Sequence, residues 1–132
     1  MLRFFEIRWL AGLVLVCSCV YSATAQSADA IEKYSAEGQQ ALVQGNYAGA
    51  EAAFEKLRDL EPSVAEVHAN LGVIYFQERK FELAVSALRQ ALKLKPALPK
   101  TDAMLAMSLS ELGRYTEALP GLEKCFRRST DS

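Results

Sequence analysis

The sequence predicts an all-α protein, a solenoid of three helix-turn-helix repeats that follows a signal peptide. Three observations predict it. Residues recur at a spacing of 34 from Ile31 onward, each block carries two apolar stripes at helical spacing, and a short polar link joins the two stripes. The recurrence is extensive. Gly38, Gly72 and Ala106 share a register, as do Tyr47, Phe81 and Tyr115, then Ala50, Ala84 and Ala118, then Phe54, Leu88 and Leu122. Leu57, Ala91 and Cys125 make a further set, and Pro62 and Pro96 another, with Thr130 in the third block.

The first element is "MLRFFEIRWLAGLVLVCSCVYSATAQ". Arg3 and Arg8 give a positive start, Trp9 to Val20 an apolar run of 12, and small residues before Gln26 a cleavage site after Ala25. A spanning helix needs about 20 mostly apolar residues, so residues 1–25 read as a removable export signal rather than an anchor. Lipid attachment at Cys17 or Cys19 fits less well, because the bulky Val16 precedes Cys17. Residues 26–30 form a short leader. The expected location is the periplasm or the exterior, with the bacterial envelope favoured. Without residues 1–25 the charge falls from −1 to −2, and Cys125 is the one cysteine left. An internal disulfide is then impossible, and packing must hold the fold.

The repeats follow as 31–64, 65–98 and 99–132. In the second, His68, Leu71, Gly72 and Tyr75 mark one face of a first helix, and Phe81, Ala84, Val85, Leu88, Ala91 and Leu92 one face of a second. The links "QGNY", "ERKF" and "LGRY" are short enough to force the two helices antiparallel. Gly45 and Gly113 suit a left-handed turn residue; Arg79 at the same register would be strained by about 1–2 kcal/mol. Small residues at Gly38, Gly72 and Ala106, and at Ala50, Ala84 and Ala118, let the paired axes approach. The aromatic at 47, 81 or 115 is expected to fill the end of each pair. Ser63 and Glu66 read as a capping box, and Pro62 and Pro96 as stops. In the last helix Pro120 predicts a kink costing up to about 3 kcal/mol, and Gly121 adds up to about 1 kcal/mol.

These blocks resemble tetratricopeptide repeats, and "NLGVIYFQERKFELAVSALRQALKLKP" is close to that pattern throughout. The resemblance covers 31–132 and implies a right-handed superhelix and a role in binding proteins. Tyr34, His68 and Asp102 stand where the family usually has tryptophan, and Glu37 where it has leucine. Some members grip a peptide's terminal carboxylate; Asn70 and Lys100 match that set, but Ser35, Gln39 and Met104 replace its other members. The resemblance therefore implies a partner with apolar anchors rather than a carboxylate clamp.

Chemistry of other kinds finds little support. The charge balance offers no basic excess for nucleic acid. One histidine and one remaining cysteine cannot build a multi-ligand soft-metal site. His68 lies on the apolar stripe as a packing residue, and Cys125 aligns with Ala91 as a small core residue. No catalytic constellation, phosphate loop, cofactor site or metal site is expected, and the chain is not expected to be an enzyme.

Binding remains. Stacked repeats leave a concave face lined by the first helix of each pair. On it Leu42, Val73, Phe76 and Met107 form an apolar strip edged by Glu66, Lys100 and Glu111, unless neighbouring helices bury it. Gln39, Leu42, Ala69, Asn70, Val73, Phe76, Lys100 and Met107 are the expected groove, for a peptide or helix of a partner protein. Two alternatives stand beside this exported scaffold. One makes the chain the N-terminal piece of a longer protein with an enzymatic or membrane part, since no polar helix covers the third repeat. The other has it self-associate through Leu122, Cys125 and Phe126 at that edge.

Overall fold

A computed structural model describes residues 26–130, with the exception of Pro99. The export signal at 1–25 and the chain's last two residues lie outside the described residues. Six helices are described: α1 (26–43), α2 (Tyr47–Leu60), α3 (Ala65–Gln77), α4 (Phe81–Leu94), α5 (Thr101–Glu111) and α6 (Tyr115–Thr130). No strand occurs among the described residues. The chain divides into two compact units at Lys33/Tyr34, within α1, and the unit from Tyr34 holds the rest of α1 and the helices α2 to α6.

Each helix pair is an antiparallel hairpin closed in the same way. Gly45, Arg79 and Gly113 all adopt left-handed backbone, with φ of 70°, 62° and 71°. The next residue's N–H then donates back into the preceding helix: Asn46 to Ala41 O at 2.9 Å, Lys80 to Tyr75 O at 2.8 Å, Arg114 to Leu109 O at 2.9 Å. This satisfies carbonyls that the helix end would otherwise leave bare. Arg79 therefore bears the expected strain, partly offset where its guanidinium lies 5.7 Å from the centroid of the Phe81 ring. Asn46 adds a side-chain cap on Gly49 N–H at 3.0 Å.

Within a pair, contact is made through missing side chains. A β-carbon placed on Gly38 would lie 2.7 Å from the Phe54 ring, and one on Gly72 2.5 Å from Leu88 Cγ. The third pair inverts the arrangement. Ala106 replaces the first-helix glycine, and Gly121 on α6 makes the approach instead. A β-carbon placed there would lie 3.0 Å from Asp102 O and 3.1 Å from Ala106 Cβ. The glycine expected only to weaken α6 is what lets it sit against α5.

Between pairs, α3 packs on α2, and α5 on α4 and on α3. Phe54, Leu71, Ile74 and Leu88 are fully buried at the centre. Val85, Ala106, Leu109 and Ala118 form one further cluster, and Ala65, Ala91 and Leu98 another. His68 is buried as expected and also anchors the preceding loop, with Nε2 2.7 Å from Pro62 O.

Three expectations need correction. The Ser63–Glu66 capping box does not form: Val64 is the N-cap of α3 and makes no side-chain cap. Glu66 turns instead to Lys95 Nζ, which donates to it at 2.7 Å. Tyr115 is exposed rather than filling the end of its pair. Phe81 at the same register meets Phe76 edge to face, centroids 5.6 Å apart, whereas the third repeat has Ser110 in place of that partner. Leu122 is exposed, and Cys125 is only half-buried rather than the small core residue that its register with Ala91 implies. Pro62 and Pro96 do follow helix ends, two residues beyond α2 and α4.

Two substitutions test this packing. Gly72→Ala forces Leu88 from a fully buried position and should cost about 1–3 kcal/mol in a denaturant melt followed by circular dichroism. Arg79→Gly relieves the left-handed strain and should raise stability by up to about 1 kcal/mol in the same assay.

Candidate functional site

The expected groove residues lie on the first helices α1, α3 and α5, except for Lys100, which precedes α5. The stripe adjoining the core on α3 is Ala69, Asn70, Val73 and Phe76, all half-buried. Ala69 packs against the Ala65, Ala91 and Leu98 cluster, which draws it into the repeat. Phe76 is partly committed to Phe81. Val73 keeps one open side, and Met107, at the same position one repeat later, is 46% exposed. Since α3 touches α5 directly, these two positions lie on neighbouring helices. On α1, Gln39 is exposed and Leu42 half-buried.

Lys100 departs from the expected arrangement. Its register partner Glu66 lies within α3, but Lys100 precedes α5 as its N-cap, in left-handed backbone with φ of 64°. The groove edge is charged as expected at Glu66 and Glu111, both exposed. Lys95 donating to Glu66 holds that carboxyl below its ordinary value.

Sequence reasoning missed a second feature. Two furrows, of about 280 and 220 Å³, lie between the helices of the second and third pairs. Their linings coincide after a shift of 34: His68, Leu71, Tyr75, Leu83, Ser86 and Gln90 in one, and Asp102, Leu105, Leu109, Glu117, Pro120 and Lys124 in the other. Arg58 of α2 adds to the first. Several polar groups around them are paired. Tyr75 Oη donates to Glu55 Oε1 at 3.0 Å, and Lys124 Nζ lies 2.7 Å from Asp102 Oδ2. Arg89 of α4 donates to Glu117 of α6 at 2.6 Å, and Arg114 donates to the same carboxylate at 2.7 Å. These donors, Arg114 foremost, hold the Glu117 carboxyl below its usual range.

The sequence pattern of the tetratricopeptide repeat matches residues 35–99. This chain belongs to the tetratricopeptide-repeat family. Among related proteins, a small glutamine-rich tetratricopeptide repeat-containing protein 2 of Mycosarcoma maydis is 29% identical over 93 residues, which are 70% of this chain and 26% of the relative. The chain thus spans about a quarter of that relative's length. Among solved structures, MamA AMB-1 superposes with a TM-score of 0.71 at 24% identity, covering 77% of this chain and 56% of MamA. The second tetratricopeptide-repeat domain of Spaghetti (RPAP3), solved with the HSP90 peptide SRMEEVD, superposes with a TM-score of 0.67 at 22% identity, covering 70% of this chain and 86% of that one. These likenesses establish the fold.

His68 and Asp102, at one register, each line one of the two furrows. Among the described residues, no group of three or more His, Cys, Asp or Glu is placed to hold a metal, and no helix is long and apolar enough to cross a membrane.

Burial, then the hydrogen bond to Glu55, pushes the Tyr75 phenol up to about 12 from its ordinary 10. The folded state therefore keeps its proton where the unfolded chain loses it. Stability is fully present below pH 10 and declines as pH rises from 10 towards 12. Tyrosinate absorbance should show one late-titrating phenol in the native protein, and Tyr75→Phe should remove that late step.

Proposed function

We propose that this chain is an exported, non-enzymatic scaffold that binds a peptide or helix of a partner protein along the face formed by α1, α3 and α5. The observation that carries the reading is the pairing of Val73 with Met107. Two apolar side chains at one repeat position, on touching helices, each keep open surface. Leu42 and Phe76 extend the apolar strip, and Gln39, Asn70, Glu66 and Glu111 give it a polar rim. Such a strip suits apolar anchors spaced along an amphipathic helix or an extended segment. That Spaghetti's domain was solved with a peptide supports peptide capture as a use of this fold. Export rests on the composition of residues 1–25, and on that reading the partner is periplasmic or extracellular. The binding needs no cofactor.

Terminal-carboxylate capture fits poorly. Ser35, Gln39 and Met104 replace the polar set, and Lys100 stands off the helix that would aim it. The peptide SRMEEVD and its C-terminal amide should therefore show the same weak, non-saturating response in calorimetric titration. A saturable site for the free carboxylate alone would refute this.

The groove itself is tested by Val73→Ser with Met107→Ser. Both side chains are partly open, so circular dichroism should be unchanged. Proteins retained by the native chain in pull-downs from the cell envelope are identified by mass spectrometry. Their retention should fall at least about tenfold in the double variant, the cost of removing two apolar anchors. Unchanged retention would place the binding surface elsewhere.

A further inference from the structure

The helix pairs share one architecture but not one core. Among the described residues, ten buried apolar side chains come from residues 65–98 and three from 99–132, namely Ala106, Leu109 and Ala118. Matching positions show where the core is lost. Ser108 stands where α3 has Ile74, and both are fully buried. The serine hydroxyl donates to Met104 O of its own helix at 2.8 Å, so the position adds little apolar surface. Leu88 is fully buried against Gly72, whereas Leu122 is 45% exposed. Pro120 also lies inside α6, where it removes a helical hydrogen bond. Hydrophobic burial therefore holds α5 and α6 far less firmly than α3 and α4.

The chain between the pairs divides at one place. Leu98 is buried in a cluster with Ala65 and Ala91, and so belongs to the second pair. Two residues on, Lys100 enters α5 in left-handed backbone, with φ of 64°, a strained conformation for a residue with a β-carbon. Opening beyond this point releases that strain and leaves Leu98 in place. Across the boundary, Val85 of α4 meets the cluster of Ala106, Leu109 and Ala118. Arg89 and Glu117 add an ion pair at 2.6 Å, but both are exposed and such a pair holds weakly. Among α2 to α5, only α5 lies close along α6, so α6 cannot stay docked once α5 leaves.

We propose that α5 and α6 undock and unfold together, as one unit bounded at Lys100, while α2, α3 and α4 stay folded. Opening parts Met107 from Val73, so the apolar strip is complete only in the closed form. A segment bound across both residues holds the third pair shut. That consequence rests on the groove reading above; the opening itself does not.

Amide hydrogen exchange of the full chain without any partner, followed residue by residue by NMR at neutral pH, tests the opening alone. The slowest amides of α5 and α6 should exchange at least about tenfold faster than the slowest of α3 and α4. Ala53→Gly in α2 and Ala118→Gly in α6 each replace one buried alanine within a helix, changes mild enough to leave the chain folded. Ala53→Gly should speed the slow amides of α2 to α4 by about fivefold to twentyfold and leave those of α5 and α6 unchanged. Ala118→Gly should speed both groups by a similar factor, because complete unfolding includes the third pair. Equal slowest rates in the two groups, or both variants speeding every amide alike, would overturn the proposal.

Discussion

The fold depends on how closely two helices of one pair can approach. Gly38 under the Phe54 ring and Gly72 under Leu88 bring the axes together by giving up a side chain on one helix so that a large one on the other can be fully buried. Ala50 and Ala84, with no exposed surface, hold the other side of each crossing. Once the pair is this tight, its two helices present a continuous surface to the next pair, and stacking buries what one hairpin alone could not. The left-handed turn at 45, 79 and 113 is a consequence: a close antiparallel pair leaves room for only a short closure, and the same backbone hydrogen bond is used each time. That the second repeat closes with an arginine there shows that the pair dictates the turn, not the reverse.

The third repeat shows what happens when the device moves. With Ala106 in place of glycine, α6 cannot bring Leu122 down as α4 brings Leu88. It approaches through Gly121 instead, one position earlier, and Leu122 stays open. Pro120 beside it lies within the helix, yet the helix runs on to Thr130. The pair is secured by Ala118 in the core and by ion pairs at its margin, Lys124 with Asp102 and Arg89 with Glu117. Exposed pairs of this kind contribute little singly. They orient α6 more than they stabilise it.

The sequence made legible whatever depends on one repeat being like another. Helix order, the three turns, the close approach at Gly38 and Gly72 and the buried alanines all follow from register, because identical neighbours impose identical packing. What it hid was local or terminal. Lys100 stands off its helix in left-handed backbone, whereas Glu66 at the same register lies within α3, a difference that register does not carry. Glu66 gave up capping for Lys95, a partner 29 residues away. Tyr115 and Leu122 kept the register of core residues but lacked the neighbours that make a core: Ser110 offers no ring to Tyr115, and no described helix lies over Leu122. The furrows lined by His68 and Asp102 also stayed hidden, since an open volume becomes visible only when the surrounding walls are known.

The internal repeat also separates residues that build the fold from residues free to serve binding, without reference to any other protein. At 50, 84 and 118 all three repeats hold alanine, since a close crossing admits nothing larger. On the open stripe of the first helices the chain varies freely: Gln39, Val73 and Met107 differ in polarity and size while the backbone beneath them is the same. Equivalent core positions also vary, as Phe54 and Leu88 do, so open or partly open surface is what sets Gln39, Val73 and Met107 apart. It is the mark of positions that face outward, and where two of the three are apolar and remain partly open, the free energy that favours covering them has not been used. A partner's apolar side chain can release it without disturbing a single contact on which the solenoid stands.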